Sequence, residues 1–537
     1  MEGDACWVIN ILYFTIAIFM FVDLLYLLQL EDYHLFKCLK NIKLKTNIIL
    51  EVALLLIGIV GYFMHIRFDN QTNDIIFISI IVLLNIYKIH EICIKNNECK
   101  VMFKITKRIK RTLFVIITIY ILTQTMLYLL NLHFNYFIFN VYLLAVFVVS
   151  VLISYPIEKL IYVYYLKKSI KKLSTCKNLK IIAITGSCGK TSTKNILFEM
   201  LSTKYNVLKS PASFNTPMGI SRTILEHLKP YHEFLILEFG AKRKGEIKYL
   251  CKKFKPQYGI LTSIDKQHME SFGNIENVLK AKMELQQNLL LPGFMVFNCD
   301  NNLVCDVSTE YKNDCACVTT STDFDLKSCC GIFDGAVRRF YGLSNMMVGD
   351  FGSEFTIVDK GKMLEAKLSC KLLGRHNISN ILCAYAMAKH FNVDDDMISF
   401  ALKNMDYVPH RLEKREMGNK IILDNSYNSN PASFLCSLEV LAMFENRRKI
   451  VVTPGVVEQG KGAYDENYRI GKAMSDVADE VVIVNEVNQN AIMAGLMDCG
   501  FEVDKIKKVK TFSEVDFNVY CNGEVVLIEN DLPDNYK

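Results

Sequence analysis

Gly186, Gly189, Lys190 and Thr191 stand together in IIAITGSCGKTSTKNIL, residues 181–197, where an apolar run breaks into a glycine-rich turn and then reads as a helix. That order cradles an anion. Backbone N–H groups of the turn and of the helix start bind phosphate oxygens, a lysine reaches the terminal phosphates, and a hydroxyl takes magnesium. Ser187, Cys188 and Ser192 complete the loop, which is shorter than the strict G-x-x-x-x-G-K-[ST] pattern because position 184 is Ile. Glu238 ends the apolar run of HEFLILEFGAK, and His268 follows the run of PQYGILTSIDKQHMESFG. In doubly wound α/β folds ligands gather beyond the carboxyl ends of strands. Both residues are therefore expected beside the phosphate loop, as magnesium ligands or their supports. Taken singly, each has a plainer reading, a surface acid at a strand end and a loop histidine.

The elements that must position these residues are strands and helices in alternation. The segment 181–185 reads as a buried strand and KTSTKNILFEML as its helix, while NVLKAKMEL is a helix carrying Lys280, Lys282 and Glu284. Short alternating runs between 340 and 371 read as β-hairpins. From about 409 the strand–helix pattern resumes with KIILD, RKIVVTP, DEVVIVN and EVVLIEN. The expected fold is α/β: a central P-loop ATPase-like domain with a parallel sheet at 179–408, then a Rossmann-like domain at 409–537.

The first 166 residues differ. Apolar runs at about 7–29, 47–66, 75–90, 112–131 and 137–155 predict a transmembrane region of about five helices, since a span takes roughly 20 residues. The third run is short. Five spans, with the N-terminus outside, leave every lysine-rich loop on the cytoplasmic side, as basic loops prefer. The rest of the chain then lies in the cytosol, as part of a multi-pass protein of the cell membrane. Asp23 falls inside the first run and reads as a residue near its cytosolic end. Segment 167–178, LKKSIKKLSTCKN with its neighbours, reads as a basic linker able to lie on anionic lipid.

The net charge of +6 comes from 62 basic and 56 acidic residues. The excess sits beside the apolar runs, which favours membrane topology over nucleic acid. Eighteen cysteines form no secreted framework and read as reduced thiols. Cys299, Cys305, Cys315, Cys317, Cys329 and Cys330 cluster without a C-x-x-C pair, a poor spacing for zinc.

Over about 175–537, TGSCGKTS, SFNTPMGI, LILEFGAK, SIDKQHMESFGNIENVLKAKMEL, LLGRHNISNILCAYAMA, HRLEKRE and IILDNSYNSNP occur in this order. Together they resemble the Mur ligase family of ATP-dependent amide-forming ligases, nearest the MurF type, which adds D-Ala-D-Ala. The resemblance implies that a substrate carboxylate takes the γ-phosphate of ATP and that an amine attacks the acyl phosphate. It implies ATP and Mg2+ as cofactors. It makes Lys190, His268 and Lys282 catalytic, and Thr191, Glu238, His268 and a carbamoylated Lys282 metal ligands. Gly186 to Ser192, Asn377, Asn380, Arg411 and Asp424 would contact ATP, and Asn215 and Thr216 the substrate. Without it, Lys282 reads as a solvated helix lysine. The implied partners are a carboxylate-bearing cell-wall or surface-polymer precursor, an amino acid or dipeptide, and membrane lipid, with no nucleic acid.

The chain departs from the family where apolar runs replace the domain that holds the UDP part of the precursor. Asn425 follows Asp424 where an acid is common. The alternatives are a capsule polyglutamate-type or lipid-intermediate ligase of the same mechanism, a membrane P-loop ATPase of a transporter or kinase, and a non-catalytic scaffold. A transporter ATPase calls for a full Walker A loop, and a lipid-intermediate ligase for a four-cysteine zinc ribbon.

Overall fold

The computed structural model describes residues 17–18, 20–31, 33–39, 104–130, 136–322, 336–362, 364–427, 429–520 and 523–530. The chain divides into two compact units, Met1–Tyr164 with Pro533–Lys537, and Tyr165–Leu532. Two helices are long and apolar enough to cross a membrane, Lys107–Leu127 with 21 residues in the first unit, and Val141–Thr175 with 35, which begins in the first unit and ends in the second. They match the fourth and fifth apolar runs. Part of the first run forms a shorter apolar helix, Met20–Leu30, which contains Asp23. The runs at 47–66 and 75–90 lie outside the described residues. Phe21, Leu25, Leu28, Ile116 and Phe147 pack as one cluster, and Arg111 grips Glu158 with two hydrogen bonds of 2.6 and 2.8 Å.

The last long helix, Tyr136–Thr175, includes most of the segment expected to be a linker. The linker reading is corrected to this extent: residues 167–175 are helical. They contain no Gly or Pro and include four Lys and one Leu, good helix formers that let an established helix continue. Near its end, Ser169 Oγ donates to Ser221 Oγ at 3.0 Å and Lys172 Nζ to the Leu225 carbonyl at 2.9 Å.

The second unit holds two sheets. The first runs β1 (Lys180–Thr185), β2 (Val207–Lys209), β3 (Phe234–Glu238), β4 (Tyr258–Leu261), β5 (Phe294–Asn298), β6 (Cys315–Val318), β7 (Arg338–Gly349), β8 (Gly352–Asp359) and β9 (Leu364–Cys370). Their spatial order is β2-β3-β1-β4-β5-β6-β7-β8-β9. Pairing is parallel through β7, and β7, β8 and β9 form the expected antiparallel hairpins. β3 and β5 are buried throughout because helices cover both faces of a parallel sheet. Helices α1 (Lys190–Ser202), α2 (Pro217–His227), α3 (Glu246–Phe254), α4 (Ile275–Gln287) and α5 (Asn302–Thr309) connect the strands, and α6 (Arg375–His390) and α7 (Asp395–Asn404) follow β9. Residues Asn377 to Ala388 of α6 are all buried, as a helix apolar on every side must be. Ile378, Ile381 and Leu382 of α6 share one core with Ile196, Leu197 and Met200 of α1 and with Ile182 and Ile184 of β1.

The second sheet is β10-β11-β15-β12-β13-β14, parallel except for the β10–β11 pair. Its strands are β10 (Glu413–Met417), β11 (Lys420–Asn425), β12 (Lys449–Thr453), β13 (Glu480–Val484), β14 (Ile506–Val509) and β15 (Val525–Glu529). Helices α8 (Pro431–Ala442), α9 (Ala463–Ser475) and α10 (Gln489–Asp498) flank it. The four strands read from the sequence are β11, β12, β13 and β15; β10 and β14 were not legible as strands. The boundary expected at 408/409 falls in the loop between α7 and β10. Cys299, Cys315 and Cys317 are free buried thiols, and Cys305 is free and half-buried. Among the described residues none belongs to a metal-ligating group. Cys329 and Cys330 lie outside the described residues.

Candidate active site

The phosphate loop sits where β1 turns into α1. Gly189 precedes α1 in the left-handed region, φ 80°, and a Cβ there would fall 2.3 Å from Asn380 Oδ1. A side chain is thus excluded both by backbone conformation and by space. The segment leaving β4 clamps the loop: Ser187 N donates to the Ser263 carbonyl at 2.8 Å, Cys188 N to Ser263 Oγ at 2.9 Å, and Asp265 N to Ser187 Oγ at 2.9 Å. Lys190 folds back over the loop, Nζ donating to the carbonyls of Gly186 at 2.6 Å and Ser187 at 2.9 Å. Burial lowers its pKa below the ordinary lysine value, opposed by Cys188, Glu238 and Asp265.

Glu238 meets the loop from the end of β3. Thr191 Oγ1 donates to Glu238 Oε2 at 3.1 Å, and Lys194 Nζ lies 2.6 Å from Oε1. Oε1 accepts no aligned hydrogen bond, so that contact is an ion pair without directional geometry. Lys194 and Glu238 are each 1% exposed. A half-buried hydroxyl and a buried carboxylate this close are hard oxygen donors of the kind magnesium takes. The donor set therefore fits the ion that the motif implies, and Thr191 and Glu238 are the residues that would hold it.

Lys282, on α4, is buried rather than solvated, at 2% exposure. Burial, then the charge of Lys190, drives its pKa well below the lysine value, with Cys188 and Glu246 opposing. Among the described residues it has no ion-pair partner. Such an amine destabilises the fold while charged. With the folded pKa depressed, the unfolded chain binds the proton more tightly, so stability rises with pH between the folded value and 10.5. Lys282→Met is expected to hold or raise the melting temperature at neutral pH and to lower phosphate release at least a hundredfold. A melt beside a turnover assay checks both, and a stability loss of several degrees would show the lysine to be structural.

His268 does not join Glu238 here. It occupies the left-handed region, φ 53°, at the start of the single turn Met269–Phe272, and its Nδ1 pairs with Glu458 beyond β12. Lys242 Nζ stands 3.6 Å from the other Glu458 oxygen, and Lys266 pairs with Glu466 at 2.6 Å. The loop after β12 is thus bound to the loop after β4.

Asn380 and Asn377 lie under the phosphate loop. Thr193 Oγ1 donates to Asn380 Oδ1 at 3.1 Å, and Asn377 Nδ2 to the Leu373 carbonyl at 2.8 Å. Arg411 donates to the Tyr427 carbonyl at 3.1 Å and lies over that ring at 4.3 Å. Its burial lowers its pKa, and Tyr427, Glu238 and Cys188 act against this, which places it in the field of the phosphate loop. Asp424 is held apart from these groups. His410 Nδ1 is 2.8 Å and Arg415 3.2 Å from its Oδ2, and Arg415 also binds Glu413. His410, Glu413 and Asp424 are spaced like metal ligands, but the guanidinium already supplies the countercharge. Thr216 caps α2, its hydroxyl accepting from Gly219 N at 3.2 Å, and Asn215 packs beneath Gly240, 2.8 Å from where a Cβ would stand.

Sequence reasoning missed Lys194, Glu458, Tyr427, Asn430 and Glu529. Only Lys194, one turn beyond Lys190, carried a local signal. Glu529, at the end of β15, is fully buried and accepts from Asn425 Nδ2 at 3.0 Å and from Ser429. That contact accounts for Asn425 standing where an acid is common, because a second carboxylate would repel Glu529. Burial raises the Glu529 pKa to about 7, with Ser429 and Asn425 pulling it down. A raised carboxyl holds its proton more tightly in the folded state, so this stabilisation is complete below about 4.5 and lost as pH rises to about 7. The loss is on the order of 3 kcal/mol. Urea midpoints at pH 5 and 7 should show it in the parent and much less in Glu529→Gln, and equal pH dependence in the two would sink the assignment.

Residues 184–388 match the model of the Mur ligase middle domain. The UDP-N-acetylmuramoyl-tripeptide–D-alanyl-D-alanine ligase of Escherichia coli (strain K12) is 30% identical over 274 residues, 51% of this chain and 57% of that protein. The ligase of the same name from Bacillus subtilis (strain 168) is 28% identical over 284 residues, 52% of this chain and 57% of that protein. The chain spans under two thirds of the length of these relatives. MurF from Acinetobacter baumannii has the same fold at a TM-score of 0.59 and 20% identity, over 70% of this chain and 78% of that one. MurF ligase from Thermotoga maritima, solved with ADP, aligns at 0.53 and 24% identity over 69% and 80%. The middle-domain match covers the phosphate loop, Glu238, His268, Lys282, Asn377 and Asn380, and over residues 184–388 the chain is similar to the Mur ligase family.

Proposed function

We propose that the chain is an ATP-dependent ligase that joins a carboxylate to an amine through an acyl phosphate, in the synthesis of a cell-wall or surface-polymer precursor. The observation that carries the reading is one cluster, half-buried Lys190 and Thr191 with buried Glu238 and Lys282, gathered at the phosphate loop with Arg411 of the C-terminal domain in its field. A carboxylate oxygen attacks the γ-phosphorus, the bond to the ADP oxygen breaks, and ADP leaves. The amine then attacks the acyl carbon. The tetrahedral intermediate sheds inorganic phosphate, and the amine proton passes to solvent or a nearby base. Lys190 and Arg411 hold the charge on the phosphates, a role that electrostatic preorganisation makes large. Magnesium, when bound at Thr191 and Glu238, supplies further neutralisation. His268 would join that site, and Lys282, carbamoylated, would offer it a second carboxylate. Asn215 and Thr216 line the segment where the acceptor is expected.

The relatives' names support D-Ala-D-Ala as amine donor and a UDP-muramoyl peptide as acceptor. A lipid-linked acceptor is the second reading. It is favoured by the two helices long and apolar enough to cross a membrane, Lys107–Leu127 and Val141–Thr175, which precede the catalytic domains in the chain. In this reading the N-terminal region spans the membrane about five times, with the catalytic domains cytoplasmic. Phosphate release by the full chain in detergent, with ATP and magnesium, tests the proposal. Release should need both an acceptor carboxylate and one particular amine. Release that is indifferent to both would make the protein an ATPase instead. Activity with a soluble UDP-muramoyl tripeptide and D-Ala-D-Ala would select the first acceptor, and activity only with membrane extract the second.

A further inference from the structure

Helix α8 begins beside the phosphate loop with an unspent donor. Asn430 is its N-cap, and Oδ1 accepts from Ser433 N at 2.9 Å. The same side chain is 3% exposed, and its Nδ2 has no hydrogen-bond partner among the described residues. A buried amide left unpaired costs about 1–3 kcal/mol, so its persistence calls for an acceptor. The nearest group to the amide is the Cys188 thiol, a weak acceptor that leaves its donating capacity largely unused. Burial and Asp265 push the Cys188 thiol up to about 12, while Lys190, Asn430 and Arg411 pull it back. The loop that leads into α8 also reaches the segment expected to receive the acceptor, since the Tyr427 hydroxyl bonds Ser213 Oγ.

We propose that Asn430 Nδ2 donates to the terminal phosphoryl group of a nucleoside triphosphate on the phosphate loop, so that the C-terminal domain reads the third phosphate. The inner phosphates face the loop backbone. A terminal phosphoryl group beyond them would meet Asn430 and Arg411, which both act on Cys188 of the loop. The proposal rests on the ATP reading above and adds to it a residue that separates triphosphate from diphosphate.

The test is calorimetric binding of the β,γ-imido analogue of ATP and of ADP, each with magnesium, to the full chain in detergent. Asn430→Ser keeps the cap and removes the amide. It should weaken the triphosphate analogue about 10-fold or more, as for a hydrogen bond to a charged group, and ADP about 2-fold or less, with an unchanged melting temperature. Asn430→Asp also keeps the cap but sets a carboxylate against the phosphate, and should lose more. Parent-like triphosphate affinity in both folded variants, or an equal loss for both nucleotides, overturns the proposal. If the parent binds neither nucleotide, the ligase reading fails and this inference with it. If the parent binds both and the variants do not discriminate, only this inference fails.

Discussion

Lys190→Ala is expected to lower ATP-dependent phosphate release about 10³-fold, roughly 4 kcal/mol of transition-state stabilisation. In the structure its ammonium group is held by the carbonyls of Gly186 and Ser187 at the rim of the loop. A triphosphate would exchange those weak acceptors for charged oxygens without moving the lysine far. The rest of the loop does not depend on this side chain, because Ser263 and Asp265 hold it through backbone and hydroxyl groups. The fold should therefore survive, with a melting temperature equal to or above that of the parent, since a buried cation is removed. Lys190→Arg should restore little, because a wide planar guanidinium does not fit a space shaped for an ammonium group. Single-turnover phosphate release with a melt on the same preparation checks all three statements. A loss smaller than tenfold would remove the loop from the reaction.

The second large effect is on stability. Lys194 and Glu238 form a buried ion pair at 2.6 Å with 1% exposure on each side. Burial lowers the Lys194 pKa, and Glu238 is the main group that opposes this. Removing one partner leaves the other charge uncompensated, at a cost of about 3–5 kcal/mol. Glu238→Ala should strand Lys194, whose other partner among the described residues is the Ala212 carbonyl. At roughly 2–4 °C per kcal/mol for domains of this size, the melting temperature should fall by about 10 °C. Lys194→Met with Glu238→Gln removes both charges and should recover most of that loss, while activity stays low because the carboxylate beside Thr191 is gone. The double-mutant cycle separates the pair energy from the functional loss. If the two single variants and the double lose equally little, the pair is not buried in solution.

The phosphate loop was legible because its chemistry is local. Gly186, Gly189, Lys190 and Thr191 lie within one turn and one helix start, where spacing along the chain is spacing in space. Glu238 was readable for a related reason: a buried parallel strand is a run of apolar residues, and the first polar residue after it marks the sheet edge. Lys282 was legible only through resemblance, since helical periodicity made it a surface residue. Its burial depends on α4 packing against elements far away in sequence. The end of the last long helix was misplaced because charge was taken as a break, although lysine is a good helix former.

What the sequence determined by itself is the class of the two sheets, the positions of the strand-end residues and the glycine-rich turn at 186–191 that opens a helix. These follow from periodicity and from groups a few residues apart. Only the tertiary structure decided that His268 pairs with Glu458 rather than Glu238, that Asp424 is held by His410 and Arg415, and that Asn430 faces Cys188. Each joins side chains on separate elements, in two cases from separate domains. In those two the meeting is set by how the second sheet docks on the first, and for Asp424 by the pairing of β10 with β11, which no local pattern encodes.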